Sequence, residues 1–262
     1  MPFSAWLICI SLLAVDPVAP TVTVSPAMRS WQAGQESMLR ADTDAAIAAY
    51  RESLRLDPEL SRNYLSLAAA FLEKGQDTTA AEHMGNYLRL QPDHVVVRVH
   101  YADLLLRLGR PSEAREQFER FVADAQVRPA LAEEHLVHCH SRLMEIAEGL
   151  EDEYSEHLHR GIGLYLLAKQ RAELPDAPGE LSAEGMLCKA AGELTLASRG
   201  RPDEARPCWY LSAVWTELAQ RRPAARWLRA AEAAAPFSYL TPGERDALRL
   251  ASRMGIEETH AR

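Results

Sequence analysis

The residues best equipped for chemistry sit in one run, Glu133-Glu134-His135-Leu136-Val137-His138-Cys139-His140. On a helix His135 and His138 (i, i+3) share a face, as do His135 and Cys139 (i, i+4), and Glu134 pairs with His138. Imidazole, thiolate and carboxylate are all ligands for zinc and related transition metals. His157 and His159, on the next predicted helix, could face this run across a hairpin and complete a bundle-type site. That reading makes a metal-binding module with His135, His138 and Cys139 as ligands and His140 beside them. The simpler expectation is an amphipathic helix whose core positions are Leu136, Val137 and Leu143, with the histidines on a wet face. On that expectation no metal and no cofactor is assigned. No nucleophile elbow, phosphate-cradling glycine loop or His-Glu-x-x-His occurs, and Gly161-Ile-Gly163 is too short to cradle a phosphate. The chain therefore reads as non-catalytic.

The elements that must hold these residues come from a chain of ordinary globular balance. Of 262 residues, 47% are hydrophobic and 25% charged, which supports a real core. Gly 13 and Pro 15 exclude collagen-like and low-complexity classes. The formal charge of −8 argues against a broad grip on nucleic acid. Basic charge is nearly all arginine; only Lys74, Lys169 and Lys189 are lysines. Acidic residues gather between Glu145 and Glu156, while Arg199 to Arg229 is arginine-rich, as expected of solvated helix faces of opposite sign. Four cysteines without a Cys-x-x-Cys read as free thiols.

Phe3 to Val15 is an apolar run of 13 residues. A membrane-spanning helix needs about 20, so this run has the length of a signal-peptide core rather than an anchor. It lacks a preceding Lys or Arg and a clean small-x-small cleavage site. The expectation is an exported protein, periplasmic or otherwise extracytoplasmic, or one held near a membrane by this leader. A leader without function would leave the protein cytoplasmic. Asp16 to Pro26 reads as an extended linker.

Beyond it runs a 34-residue ruler. Pro58 and Pro92 close the similar steps LRLDP and LRLQP. In the same frame fall Gly34/Ala68/Ala102, Ala46/Ala80/Ala114, Tyr50/Met84/Phe118 and the turn residues Ala41/Gly75/Gly109. Small residues let two antiparallel helices approach, large ones fill the gap beside them, and glycine can stop a helix in the left-handed conformation. A helix hairpin of this kind cannot bury its apolar face alone, so neighbours must stack.

This ordered recurrence resembles the tetratricopeptide repeat family over residues 27–126, three units. It departs from the family at the fourth position, where a tryptophan is replaced by Ser30, Tyr64 and Arg98. The resemblance implies an all-α fold, a right-handed superhelical solenoid of antiparallel helix pairs, whose first helices line a concave face. That face would carry two apolar rows, Trp31/Leu65/Val99 and Met38/Leu72/Leu106. Gln35, Arg62, Ser66, His100 and Asp103 lie between them. The implied function is a non-catalytic protein-protein interaction scaffold that holds a peptide or partner protein in this groove, with Trp31 as the expected hot spot. The cationic clamp by which some family members hold a chaperone's C-terminal carboxylate is missing.

The remaining chain is also helical. Residues 1–26 are leader and linker, 27–126 the three repeats, 127–180 an atypical long helix pair, 181–240 further repeat-like helices and 241–262 a capping helix and tail. The motif GRPxEA occurs at Gly109–Ala114 and again at Gly200–Ala205, which suggests that the repeat continues. A second frame, 205–238, overlaps it, so the helix near 203–219 fits either place in a pair. Pro207 should kink that helix or reset its start. Thr241-Pro-Gly-Glu244 fits a capping box that opens the last helix.

Overall fold

The computed structural model describes residues 24–127, 133–173 and 182–260. The leader Phe3–Val15, most of the linker after it, and the Leu174–Gly179 break lie outside the described residues. Within the described residues every regular element is an α-helix: α1 (Pro26–Leu39), α2 (Thr43–Leu56), α3 (Arg62–Glu73), α4 (Asp77–Leu90), α5 (Val95–Arg107), α6 (Pro111–Val127), α7 (Glu133–Gly149), α8 (Glu153–Glu173), α9 (Ala183–Gly200), α10 (Ala205–Glu217), α11 (Arg221–Ala234) and α12 (Pro242–His260). The chain forms two compact units, Met1–Ala114 and Arg115–Arg262, so the division falls inside α6.

One turn recurs five times among the described residues. Asp42, Gln76, Arg110, Asp152 and Gln220 each donate a backbone N–H to the carbonyl five residues back, at 2.8–2.9 Å. The residue before each has positive φ: Ala41 58°, Gly75 66°, Gly109 69°, Glu151 56° and Ala219 54°. This closure satisfies carbonyls that the helix end leaves without partners. It marks α1–α2, α3–α4, α5–α6, α7–α8 and α10–α11 as the hairpins. The second GRPxEA does not make this turn. Gly200 is the last residue of α9, and Arg201 follows at φ −136°. The frame 205–238 is the one realised, and α10 is the first helix of its pair. Pro207 is the third residue of α10, inside the first turn, where no intrahelical N–H bond is lost.

In unit 1 the ruler is a packing rule. Gly34, Ala46, Tyr50, Ala68, Ala80, Met84 and Ala102 are all buried. A Cβ on Gly34 would lie 2.3 Å from the Tyr50 ring. The ring cannot swing away, because Tyr50 is 1% exposed. Ser53 ties three helices together: it donates to the Ala27 carbonyl at 2.6 Å and accepts from Asn63 Nδ2 at 2.8 Å. Two of the three residues replacing the family's tryptophan have a shared task. The Tyr64 hydroxyl donates to the Pro58 carbonyl at 3.2 Å, and the buried Arg98 guanidinium donates to the Pro92 carbonyl. Each reaches back six residues to the end of the preceding helix.

Unit 2 is built on a long antiparallel pair, α8 and α9. Gly161 sits against Leu194, whose Cγ would be 2.6 Å from an added Cβ, and Tyr154 at one end meets Arg201 at the other. A core of Leu158, Ile162, Leu187, Leu194, Leu211 and Val214 joins α8, α9 and α10. The last helix opens on the capping box foreseen in the sequence. Thr241 N–H donates to Glu244 Oε2 at 2.9 Å, and Glu244 N–H donates to Thr241 Oγ1 at 3.2 Å.

Gly34→Ala is expected to destabilise the protein by about 2 kcal/mol through overpacking against Tyr50. Gly192→Ala, with nothing within 4 Å of the new methyl, should stabilise by about 0.5–1 kcal/mol through helix propensity. Urea midpoints of the two variants check the opposite signs.

Candidate functional site

The eleven residues of the expected groove lie on α1, α3 and α5, where the two apolar rows are treated differently. Trp31, Leu65 and Val99 are buried, at 6%, 5% and 2% exposed. Trp31 is an internal strut rather than a presented hot spot: its Nε1–H donates to the buried Ser66 hydroxyl at 2.9 Å. Gln35 Nε2 donates to the same hydroxyl at 3.1 Å, and Ser66 also hydrogen-bonds Tyr50. Burial pushes the Tyr50 phenol up to about 12, so it stays a neutral partner. The Arg62 guanidinium covers the Trp31 ring at 5.1 Å and bonds Met28 Sδ at 3.9 Å. The second row, Met38, Leu72 and Leu106, stands half-buried on three successive first helices. Gln35, Arg62, His100 and Asp103 are half-buried on the same helices. Apolar side chains with interleaved polar ones thus remain accessible along one face.

The histidine run on α7 does not assemble as a ligand set. His135 meets the Phe121 ring edge-on at 6.2 Å and His138 meets Phe118 at 6.3 Å, while Cys139 is fully buried. No three His, Cys, Asp or Glu side chains among the described residues converge as metal ligands. The expectation for the core face of this helix also needs correcting. Leu136 and Val137 are only half-buried, and the buried positions are Cys139, His140, Leu143, Ile146 and Ala147.

His140 finds its partner across the hairpin. Its Nδ1 lies 3.0 Å from Nδ1 of His159 on α8, and both rings are buried. His157, the other candidate on α8, turns instead to Glu193 on α9 at 2.7 Å. The His140–His159 contact holds one proton between two neutral rings, one nitrogen donating and the other accepting. The pair borders a cavity of about 410 Å³ in unit 2, with Glu119, Arg120, Arg206 and Glu244 also on its wall. Arg206 Nε pairs with Glu244 at 2.9 Å. Burial, then the Glu244 carboxylate, pushes the Tyr210 phenol far above its ordinary value, so it remains a donor to Glu244. Burial, with the Arg206 charge adding to it, lowers His140 to about 3. Burial, then His140, Arg206 and Arg115, holds His159 well below the imidazole range. Sequence reasoning named His140 and His159 but could not pair them, because their meeting depends on the rotation of two helices. Nothing in the sequence flags Arg206.

Comparison with known proteins comes to the same architecture. Residues 31–60 and 72–133 match models of the tetratricopeptide repeat. A stretch of 75 residues is 37% identical to cellulose synthase operon protein C of Pseudomonas fluorescens (strain SBW25), covering 29% of this chain and 6% of that protein. The chain thus spans only a small part of that relative. Among solved structures, the MamA protein aligns over 79% of this chain and 91% of its own at 14% identity and a TM-score of 0.41. PilW, described as a type IV pilus biogenesis factor, aligns over 87% and 100% at 16% identity and a TM-score of 0.39.

The buried imidazole pair makes stability acid-sensitive. Both groups have folded pKa values below the unfolded value of about 6.5, so their contribution is full above that pH and is lost as pH falls below it, for His140 down to about 3. The expected loss is up to about 1.4 kcal/mol per pH unit for each imidazole. Urea unfolding at pH 7.5, 6 and 5 measures the slope, and it should flatten in His140→Gln/His159→Leu.

Proposed function

We propose, from the premise that this chain belongs to the tetratricopeptide-repeat family, that it is a non-catalytic scaffold whose α1–α3–α5 face holds a peptide or a partner protein. The observation that carries this reading is the row Met38, Leu72 and Leu106, which recurs at one-repeat spacing and stays half-buried although each residue is apolar. The neighbouring Trp31, Leu65 and Val99 are spent on the core and give the row a rigid backing. Preformed backing lowers the ordering cost of binding. Gln35, Arg62, His100 and Asp103 supply the polar contacts that fix orientation.

Trp31→Ala acts on folding more than on binding, since it removes a packed ring and one of the two donors to Ser66. The informative variant is Leu72→Gln/Leu106→Gln, whose side chains already reach solvent. Helicity should stay close to wild type, with a modest fall in melting temperature because Leu72 also packs against the core. Enrichment of peptides from a displayed library should fall roughly tenfold or more, equivalent to about 1.4 kcal/mol or more. Equal enrichment by both proteins removes the proposal.

The leader Phe3–Val15 supports export of this scaffold. Mass spectrometry of the native protein's N-terminus, together with cell fractionation, tests it. Recovery of an intact leader in the cytoplasmic fraction contradicts it.

A further inference from the structure

Unit 2 has an open groove of about 1040 Å³ along α9, walled by α8 and α10. Its floor is apolar: Leu164 from α8, Leu196 from α9 and Trp215 from α10. Leu196 is 44% exposed. Gly192, midway along the groove, leaves open space where a side chain would stand. The Trp215 indole Nε1–H is buried and has no acceptor among the described residues.

The rim carries three cations, Arg160, Lys189 and Arg199, against one carboxylate, Glu193. Arg160 is already engaged by Glu156 at 2.6 Å and Glu193 at 3.7 Å. Lys189 and Arg199 are exposed and meet no carboxylate among the described residues. Ten residues apart on one helix, they stand about 15 Å from each other. On a chain of net charge −8, two unspent cations flanking an apolar floor are a local reversal of sign. An apolar centre with a charged rim and a tryptophan in its wall is the anatomy of a protein-binding surface. A nucleic acid would find cations here but no use for the leucine floor.

We propose that this groove is a second docking site, separate from the α1–α3–α5 face, and that its occupant is an acidic amphipathic peptide segment. Leucine-type side chains of that segment cover Leu164, Leu196 and Trp215, and its carboxylates meet Lys189 and Arg199. Opposite charge selects the partner and speeds encounter, and the apolar floor holds it.

The test uses the full chain with a short fluorescein-labelled peptide of leucine, alanine and glutamate, and its lysine counterpart. Saturable binding of the glutamate peptide is expected, weakening as salt rises. Lys189→Glu/Arg199→Glu, at two exposed positions, should weaken it roughly tenfold or more. Bound peptide should also slow alkylation of the exposed Cys188 in the groove wall, read by mass spectrometry of the fragment that carries it. Leu72→Gln/Leu106→Gln should leave this binding unchanged, which separates this site from the first. The proposal is overturned by absence of saturable binding, by equal binding of the lysine peptide, or by an unaffected Lys189→Glu/Arg199→Glu variant. Loss of binding in Leu72→Gln/Leu106→Gln, or equal competition by a single-stranded oligonucleotide, overturns it as well.

Discussion

A helix hairpin of this length exposes more apolar surface than it can hide within itself, and the packing of unit 1 is the response to that shortage. Gly34 against Tyr50 shows how little slack is left: one methyl group would enter the ring. That close approach joins the two helices of one hairpin, and the burial is completed by the next hairpin, whose Ser66 meets Trp31. The hydrogen bonds follow the same logic. Ser53 links α1, α2 and α3, and Ser66 of the second hairpin gathers Trp31, Gln35 and Tyr50 from the first. These hydroxyls are buried where water cannot replace a lost partner, so they fix which neighbour stacks where.

The features read correctly from sequence are those whose cause is local or periodic. Positions 34, 68 and 102 had to be small for one steric reason repeated at one spacing, and Thr241–Glu244 is a cap because four consecutive residues suffice to make it. GRPxEA misleads because the turn belongs to backbone geometry. Ala219 and Glu151 adopt left-handed φ without being glycine, while Gly200 stays helical. Trp31 looks like a presented anchor until Ser66 is seen to offer its indole an internal acceptor. The side of α7 that faces inward was also hidden. Its pattern of Leu, Val and His permits two rotations, and only packing on α8 selects the one that buries His140.

The two units differ in how they use ionisable groups. Unit 1 buries hydroxyls, amides and the Arg98 guanidinium, and its ion pairs, such as Lys74–Asp44, lie at the surface, where they contribute little. Unit 2 buries an imidazole pair and sets the half-buried Arg206 against the buried Glu244 around a cavity. Such pairs are costly to desolvate, and removing one member is costlier still. Acid sensitivity and stability therefore concentrate in the same place.

Glu244 serves two masters, the first turn of α12 and the guanidinium of Arg206 on α10. A solenoid can usually lose a helix and expose only the next layer. Here α12 carries the sole carboxylate that the described residues place against Arg206, so loss of that helix would leave a half-buried guanidinium without its partner. The α10–α12 contact is a lock rather than a lid. Variation that removes α12 has little freedom unless Arg206 changes at the same time.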